Sequence, residues 1–259
     1  MDTSIGGSHR SFPTTIWSDI LAAADPAAPD YRDRLDALVR GYWKPVYAYV
    51  RAAWKKSVED AKDLTQSFFT HLLEKDTMAR VRPDRGSFRG YLKKALKHFL
   101  IDADRAKSAR EPDRPVFSLE AAPAELERLG PAAPDEPPDR AYDREWFRCL
   151  FDAAIADLHA FLKAEGKPLY FDIFRMYCID PTMPRDTARS STFLQGAETG
   201  RIGPTYRDIA LALGVNESDV RNHLNYCRST FRSLLRRRIR EYVAGDEDVD
   251  PELEAVLRG

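Results

Sequence analysis

A long stretch in the middle of the chain shows neither helical nor strand periodicity. Residues 111–143 hold seven of the 17 prolines, and residues 111–145 carry ten acidic side chains against four arginines. Proline removes backbone hydrogen-bond donors, and an acidic, proline-rich segment buries too little apolar surface to fold alone. The sequence therefore predicts two folded regions joined by a flexible linker.

The overall charge hides strong local differences. The 259 residues carry a net charge of −1, and 43% of them are hydrophobic, which suits one or two globular domains. Residues 79–110 contain ten Lys or Arg against three acids, and residues 201–240 contain nine Arg against three acids. Such basic blocks on both sides of an acidic linker indicate surfaces that face a polyanion.

The cysteines and the N-terminus favour a cytoplasmic protein. Cys149, Cys178 and Cys227 are far apart and form no metal-binding pattern, so they are interpreted as reduced core cysteines. No apolar signal segment and no membrane-spanning window is evident. We expect no cofactor, no metal ion and no membrane partner.

Apolar residues in the first block follow helical spacing. They recur at steps of three and four over residues 31–54, where Pro45 predicts a kink or a break. Ser57 and Asp60 have the spacing of a capping box and begin a second helix. A third helix is predicted from Ser87 to about residue 107, so this block is expected to be a helical bundle.

The second block is also helical. One long amphipathic helix is predicted from near residue 144, a second over residues 169–179, and a polar loop over residues 181–203. No strand alternation is convincing. The expected fold class is all-α, with two helical domains joined by a flexible linker.

Residues 205–235 have the pattern of a helix-turn-helix. Thr205 is the expected N-cap with Asp208 reaching back, and Gly214 supplies a left-handed turn residue. Asn216 is the expected cap of the second helix, and Asp219 completes its capping box. One polar stripe of that helix has side chains suited to base edges and phosphates: Ser218, Arg221, Asn222, Asn225, Arg228, Ser229 and Arg232. The alternatives are an Arg-rich solvated helix and a protein-docking helix-turn-helix.

Three motifs carry a resemblance to a known family. They are YWKPVYAYVR at residues 42–51, EDAKDLTQSFF at residues 59–69 and GSFRGYL at residues 86–92, and they are followed by the helix-turn-helix. With these motifs in this order, the chain resembles bacterial RNA polymerase sigma factors of the extracytoplasmic-function group. The similarity covers residues 31–107, which resemble region 2 of the family, and residues 144–240, which resemble region 4.

The resemblance implies a layout for the whole chain. The implied parts are an N-terminal arm with a short helix (1–30), region 2 (31–107), the acidic linker (108–143), region 4 with its inserted loop (144–240) and an acidic tail (241–259). The loop over residues 181–203 and the tail are additions to the family pattern. Each is either a regulator-binding element or an internal shield for the basic helices.

The resemblance also implies the polymerase contacts. Glu59, Asp60, Asp63 and Gln66 would form the outer face of a helix that docks on the coiled coil of the largest subunit of core RNA polymerase, acids against a basic partner. Region 4 would contact the flap region. The alternative for the four side chains is a solvated acidic face.

Promoter DNA is the other implied partner. Arg82, Arg85, Ser87, Arg89, Lys93, Lys94, Lys97, His98 and Arg105 would bind and help to melt the −10 element. The −35 duplex would be read by the helix-turn-helix through Thr205, Ser218, Arg221, Asn222, Asn225, Arg228 and Arg232.

Two departures from the family concern regulation. Lys62 and Ser67 stand where the family often has acids. Some relatives without acids here depend on phosphorylation of a nearby threonine, so Thr65 or Thr70 is a candidate acceptor for a Ser/Thr kinase. An anti-sigma factor is the other candidate regulator.

The leading hypothesis is a monomeric sigma factor that directs transcription initiation and has no enzymatic activity. No phosphate-binding loop, nucleophile elbow or HExxH motif occurs in the sequence. The alternative is a stand-alone helix-turn-helix regulator, which would bind its operator tightly by itself, usually as a dimer on a palindrome.

Overall fold

A computed structural model describes residues 4–5, 30–54, 57–74, 87–106, 118–119, 136–179, 204–243 and 245–258. The described part is mostly helical, which agrees with the all-α prediction. Its helices are α1 (Tyr31–Trp54), α2 (Val58–Glu74), α3 (Phe88–Ala106), α4 (Pro138–Ala164), α5 (Pro168–Phe174), α6 (Tyr206–Leu213), α7 (Glu217–Arg240) and α8 (Val249–Arg258). A π-helical turn (Arg175–Ile179) follows α5, and a 3-10 turn (Asp246–Asp248) precedes α8. Two strands of two residues each, β1 (Ser4–Ile5) and β2 (Ser118–Leu119), pair in parallel.

The chain divides into two units, and the division differs from the predicted domain bounds. The first unit comprises Met1–Cys149 and Arg240–Val249, and the second comprises Leu150–Ile239 and Asp250–Gly259. The sequence assigned residues 144–149 to region 4 and residues 241–249 to an acidic tail. Both segments belong to the first unit because they bring buried aromatic side chains to its core.

Four aromatic rings from separate parts of the chain form that core. Tyr42 of α1 stacks on Trp146 of α4 with ring centroids 4.8 Å apart. Phe88 of α3 meets Tyr42 edge-on at 5.1 Å, and Tyr242 meets Trp146 edge-on at 5.2 Å. All four are buried, and such pairs contribute about 0.5–1.5 kcal/mol each beyond their buried area.

The proline positions explain two differences from the predicted elements. Helix α1 continues through Pro45, so the predicted break is absent, and buried neighbours such as Tyr42, Val46 and Tyr49 offset the missing hydrogen bond. Helix α4 begins at Pro138, six residues before the predicted start, because proline is well suited to the first position of a helix. The predicted linker thus ends earlier than residue 143.

The second unit has its own aromatic core. Phe231 of α7 lies 5.6 Å from Phe151 of α4 and 5.8 Å from Phe174 of α5, centroid to centroid. Ile209 of α6 and Val220 of α7 are also buried. The two helices of the helix-turn-helix are therefore anchored on the helices that precede them in the chain.

None of the described helices combines the length and the apolar content needed to cross a bilayer. The arm over residues 6–29, most of the predicted linker and the loop over residues 181–203 lie outside the described residues.

Candidate nucleic-acid interface

The start of α6 confirms the predicted capping box. The Thr205 hydroxyl accepts a hydrogen bond from the Asp208 backbone N–H at 3.2 Å, and the Asp208 carboxylate accepts one from the Thr205 N–H at 2.8 Å. The hydrogen bonds from Thr205 lower the pKa of Asp208. At the other end, Gly214 has φ 67°, the left-handed conformation that glycine adopts without strain. Local sequence chemistry thus fixes both ends of the first helix of the motif.

The start of α7 has the predicted contact from Asp219 back to Asn216, and it differs from the prediction only in the Asn216 side chain. The Asn216 backbone N–H donates to the Asp219 carboxylate at 3.3 Å, and the Asn216 side-chain amide donates to the same oxygen at 3.2 Å. Asn216 was expected to accept a hydrogen bond from the helix backbone. Its amide donates instead, because the Asp219 carboxylate reaches back to it.

Helix α7, which the sequence predicts to be the recognition helix, has one buried and one exposed face. Val220, Leu224, Cys227 and Phe231 are buried. The polar residues on the other side are exposed: Ser218, Arg221, Asn222, Asn225, Ser229 and Arg232. This arrangement presents amide, hydroxyl and guanidinium groups together on one helical face, as major-groove recognition requires.

Arg228 is the exception among the predicted recognition residues. Its guanidinium carbon lies 5.3 Å from the centroid of the Tyr177 ring, and its Nε is buried. Burial raises the pKa of the neighbouring Cys178 thiol to about 12, although the charge of Arg228 opposes this shift. The sequence placed Arg228 on the DNA-facing stripe, but it packs at the edge of that stripe against the π-helical turn.

The arginine run at the end of α7 is paired with acids. Arg236 binds Asp250 at 2.7 Å in the second unit, and Arg240 binds Asp246 at 2.5 Å in the first. Arg238 binds Asp157 through two hydrogen bonds of 2.7 and 2.8 Å. Asp246 and Asp250 come from the predicted acidic tail, which in the structure includes helix α8.

The basic face of α3 is only partly accessible. Arg89 binds the Asp143 carboxylate at 2.8 Å, and Lys93 binds it at 2.9 and 3.0 Å. Lys93 also lies 3.8 Å from Asp139. Both cations were predicted to bind DNA phosphates, whereas in the structure they dock the first turns of α4 on α3.

The other predicted −10 residues fall into three groups. Lys94, Lys97 and His98 are exposed on α3. The Ser87 hydroxyl accepts a hydrogen bond from the Gly90 N–H at 3.3 Å, so it caps α3. Arg105 is in α3, but its side chain is not described, and Arg82 and Arg85 lie outside the described residues.

The predicted polymerase-docking face is shorter than the sequence indicates. Glu59, Asp60 and Asp63 are exposed on the first turns of α2, whereas Gln66 is only 7% exposed. Gln66 shares the helical face of Glu59 and Asp63. However, α2 lies against α1, α3 and β2, and this packing encloses its second half. Gln66 is thus removed from the candidate contact set.

The candidate phosphorylation sites are buried. Thr65 is 0% exposed and its hydroxyl donates a hydrogen bond to the Ala61 carbonyl at 2.7 Å. Thr70 is 4% exposed. Both hydroxyls are enclosed in the folded chain, so a kinase would reach them only after this part of α2 opens. Phosphorylation at Thr65 or Thr70 stays a prediction.

Two residues at these surfaces were not predicted from the sequence: Asp143, which pairs with cations of α3, and Tyr226, which lies on the exposed side of α7. Asp143 was assigned to the acidic linker, and no local signal shows that it pairs with Arg89 and Lys93 more than forty residues away. Tyr226 did carry a signal, because it follows Asn222 by one helical turn on the exposed side of α7.

No family model, no curated protein and no solved structure matches this chain.

Proposed function

We propose that this protein is a bacterial RNA polymerase sigma factor of the extracytoplasmic-function type. It would bind core polymerase, recognise the −10 and −35 promoter elements and direct transcription initiation. The observation that carries the proposal is the recognition helix, whose buried face fixes it in place while Arg221, Asn222 and Asn225 are presented together to solvent. Such groups hydrogen-bond base edges in the major groove.

The exposed acids of α2 support polymerase as the partner. Glu59, Asp60 and Asp63 lie on one turn of helix and are available to a basic surface. Charge complementarity of this kind accelerates and orients association. Without Gln66, docking depends on these three carboxylates, so each should matter more than in a longer contact.

The ion pairs of α3 support weak DNA binding by the protein alone. Arg89 and Lys93 must exchange the Asp143 carboxylate for DNA phosphates before they contribute. Polymerase binding would offset this exchange, because fixing two DNA-binding modules on one scaffold adds avidity. The proposal therefore predicts strong promoter binding only by the complex with polymerase.

The test is retention of purified core RNA polymerase by the immobilised chain. Asp63→Lys is expected to lower the affinity for polymerase at least tenfold, a loss of about 1.4 kcal/mol, because it places a cation against a basic partner. The matched control is Asp152→Lys, a charge reversal at an exposed acid of α4. Equal retention of polymerase by wild type and Asp63→Lys would contradict the docking assignment.

Transcription from a random promoter library completes the test. Polymerase with the wild-type chain should produce transcripts that share a two-part upstream motif, and Arg221→Ala should lose selection at the upstream part only. A chain that retains no polymerase yet binds one duplex tightly by itself would instead indicate a stand-alone regulator.

A further inference from the structure

Lys167 lies beside the recognition helix although it belongs to the segment between α4 and α5. Its Nζ is 4.7 Å from the centroid of the Tyr226 ring and donates a hydrogen bond to the Tyr226 hydroxyl at 3.3 Å. Tyr226 lies on α7 one turn after Asn222 and is 36% exposed. A cation from outside the helix-turn-helix is therefore held next to the polar face of the recognition helix.

The backbone at Lys167 is fixed by the way α4 ends. Gly166 has φ 68°, and its N–H donates to the Lys163 carbonyl at 3.2 Å. The Lys167 N–H donates to the Leu162 carbonyl at 2.8 Å, which completes a Schellman motif. Pro168 follows with its restricted φ. The side chain of Lys167 thus starts from a rigid position.

The ring that holds the cation is also fixed. Tyr226 packs edge-on against Tyr170 at 5.6 Å, and Tyr170 stacks on His223 at 3.8 Å, centroid to centroid. The Tyr170 carbonyl accepts a hydrogen bond from the buried Cys227 thiol at 3.4 Å, which ties this cluster to α7. The cluster sets where the Lys167 ammonium lies relative to the recognition helix.

The electrostatics favour an anionic ligand. The hydrogen bond with Tyr226 raises the pKa of Lys167, so its ammonium remains charged at neutral pH. Glu165 is its ion-pair partner at 3.4 Å, and both side chains are about a third or more exposed. Pairs of this kind contribute only about 0–1 kcal/mol, so an incoming anion replaces the carboxylate at little cost.

We propose that Lys167 binds a backbone phosphate of the duplex whose major groove receives the recognition helix, and that Tyr226 positions it. This inference rests on the proposed function in one respect, because it requires duplex DNA at the exposed face of α7. Lysine and tyrosine are common phosphate ligands, and such contacts set register without reading sequence. Loss of Lys167 should therefore weaken binding to all sequences alike.

The salt dependence of duplex binding measures the contact. The full chain is titrated with a short mixed-sequence DNA duplex at salt concentrations from about 50 to about 200 mM. Lys167→Gln is expected to reduce the slope of log K against log salt by about 0.9, the value for one phosphate. The ratio of wild-type to variant affinity then falls about 3.5-fold across this range.

Three further variants separate the roles. Lys163→Gln removes an exposed cation of α4. It should change the salt slope by less than half as much as Lys167→Gln does. Lys167→Arg keeps the charge and should keep the slope. Tyr226→Phe retains the ring but loses the hydroxyl, so the affinity should fall while the slope stays at the wild-type value. Circular dichroism confirms that each variant is folded.

The inference is overturned if Lys167→Gln has the wild-type slope, if Lys163→Gln produces the same change, or if the wild-type chain binds no duplex at any salt concentration. Polymerase retention reports separately on the proposed function. A chain that binds no polymerase but shows the slope change at Lys167 would refute the sigma assignment and keep this phosphate contact. Polymerase binding with an unchanged slope would refute the contact alone.

Discussion

Two of the three cysteine side chains are held in environments that suppress their ionisation. Burial raises the pKa of Cys178 and of Cys227 to about 12 in each case. Because the thiolate is the reactive form, neither side chain is suited to sensing oxidants at neutral pH. None of the three cysteines forms a disulfide bond.

We predict that Cys178 and Cys227 resist alkylation in the folded protein. At pH 8 a thiol with a pKa of about 12 is ionised about one part in ten thousand, so carbamidomethylation by iodoacetamide should be slowed by orders of magnitude. Peptide mass spectrometry at timed intervals measures the rate at each site. The same reaction in urea is the control, and equal rates in the folded and unfolded chain would contradict the burial of these thiols.

Helix caps show how single hydrogen bonds determine where an element begins. We predict that Thr205→Ala destabilises the second unit by about 1 kcal/mol, the usual cost of removing an N-cap side chain. Thr205→Ser keeps the hydroxyl and should retain most of the stability. Urea unfolding followed by circular dichroism measures the difference, and an alanine variant as stable as wild type would mean that the cap does not contribute.

The same cap gives a pH dependence with a defined sign. The pKa of Asp208 is lower in the folded chain than in the unfolded chain, because Thr205 donates hydrogen bonds to the carboxylate. Its stabilisation is therefore present above the unfolded pKa and is lost as the pH falls through the folded pKa. Thr205→Ala should flatten this acidic part of the stability profile.

The elements that could be predicted from sequence are those whose causes are local. The ends of α6 were predicted correctly from Thr205, Asp208 and Gly214, because caps and left-handed turns depend on a few neighbouring residues. The face of Gln66 was also predicted correctly, but not its burial. Helical periodicity shows which side chains share a face and does not show which part of that face another element covers.

The predictions that failed concern residues whose partners are distant in sequence. Arg228 was placed on the DNA-facing stripe by its spacing, but the aromatic ring of Tyr177 lies about fifty positions away in sequence and holds its guanidinium at the edge. Trp146 was assigned to the second domain, but its ring stacks on Tyr42 in the first unit. Pairings between remote segments leave no periodic signal in the chain.

At the scale of the whole chain, the net charge of −1 reflects nearly equal numbers of basic and acidic residues, and in the described part cations of both basic blocks pair with acids of their own unit. In the first unit Asp143 binds Arg89 and Lys93, and in the second unit Asp250 binds Arg236. The acids come from the two segments that interrupt or follow the basic blocks in sequence. A chain that is nearly neutral overall can therefore contain basic surfaces that its own acids partly neutralise, and under the proposed function this pairing would weaken DNA binding by the chain alone.

We predict that Asp143→Asn strengthens the binding of single-stranded DNA by the full chain. The Arg89 and Asp143 side chains are 12% and 31% exposed, so the pair is partly screened and contributes about 1 kcal/mol or less. Removing the carboxylate's charge makes Arg89 and Lys93 available to phosphates and should raise the affinity by up to about fivefold at low salt. Fluorescence anisotropy with a labelled single strand measures the change.

The matched control for this prediction is Asp152→Asn, which alters the net charge equally at an exposed position of α4. If neutralising any acid strengthens binding through the overall field, both variants will gain the same affinity, and Asp143 will have no particular role. If Asp143 and DNA phosphate compete for the two cations of α3, only Asp143→Asn gains affinity. Adding Arg89→Gln and Lys93→Gln to that variant should then abolish the gain, because the side chains that would bind the phosphates are gone.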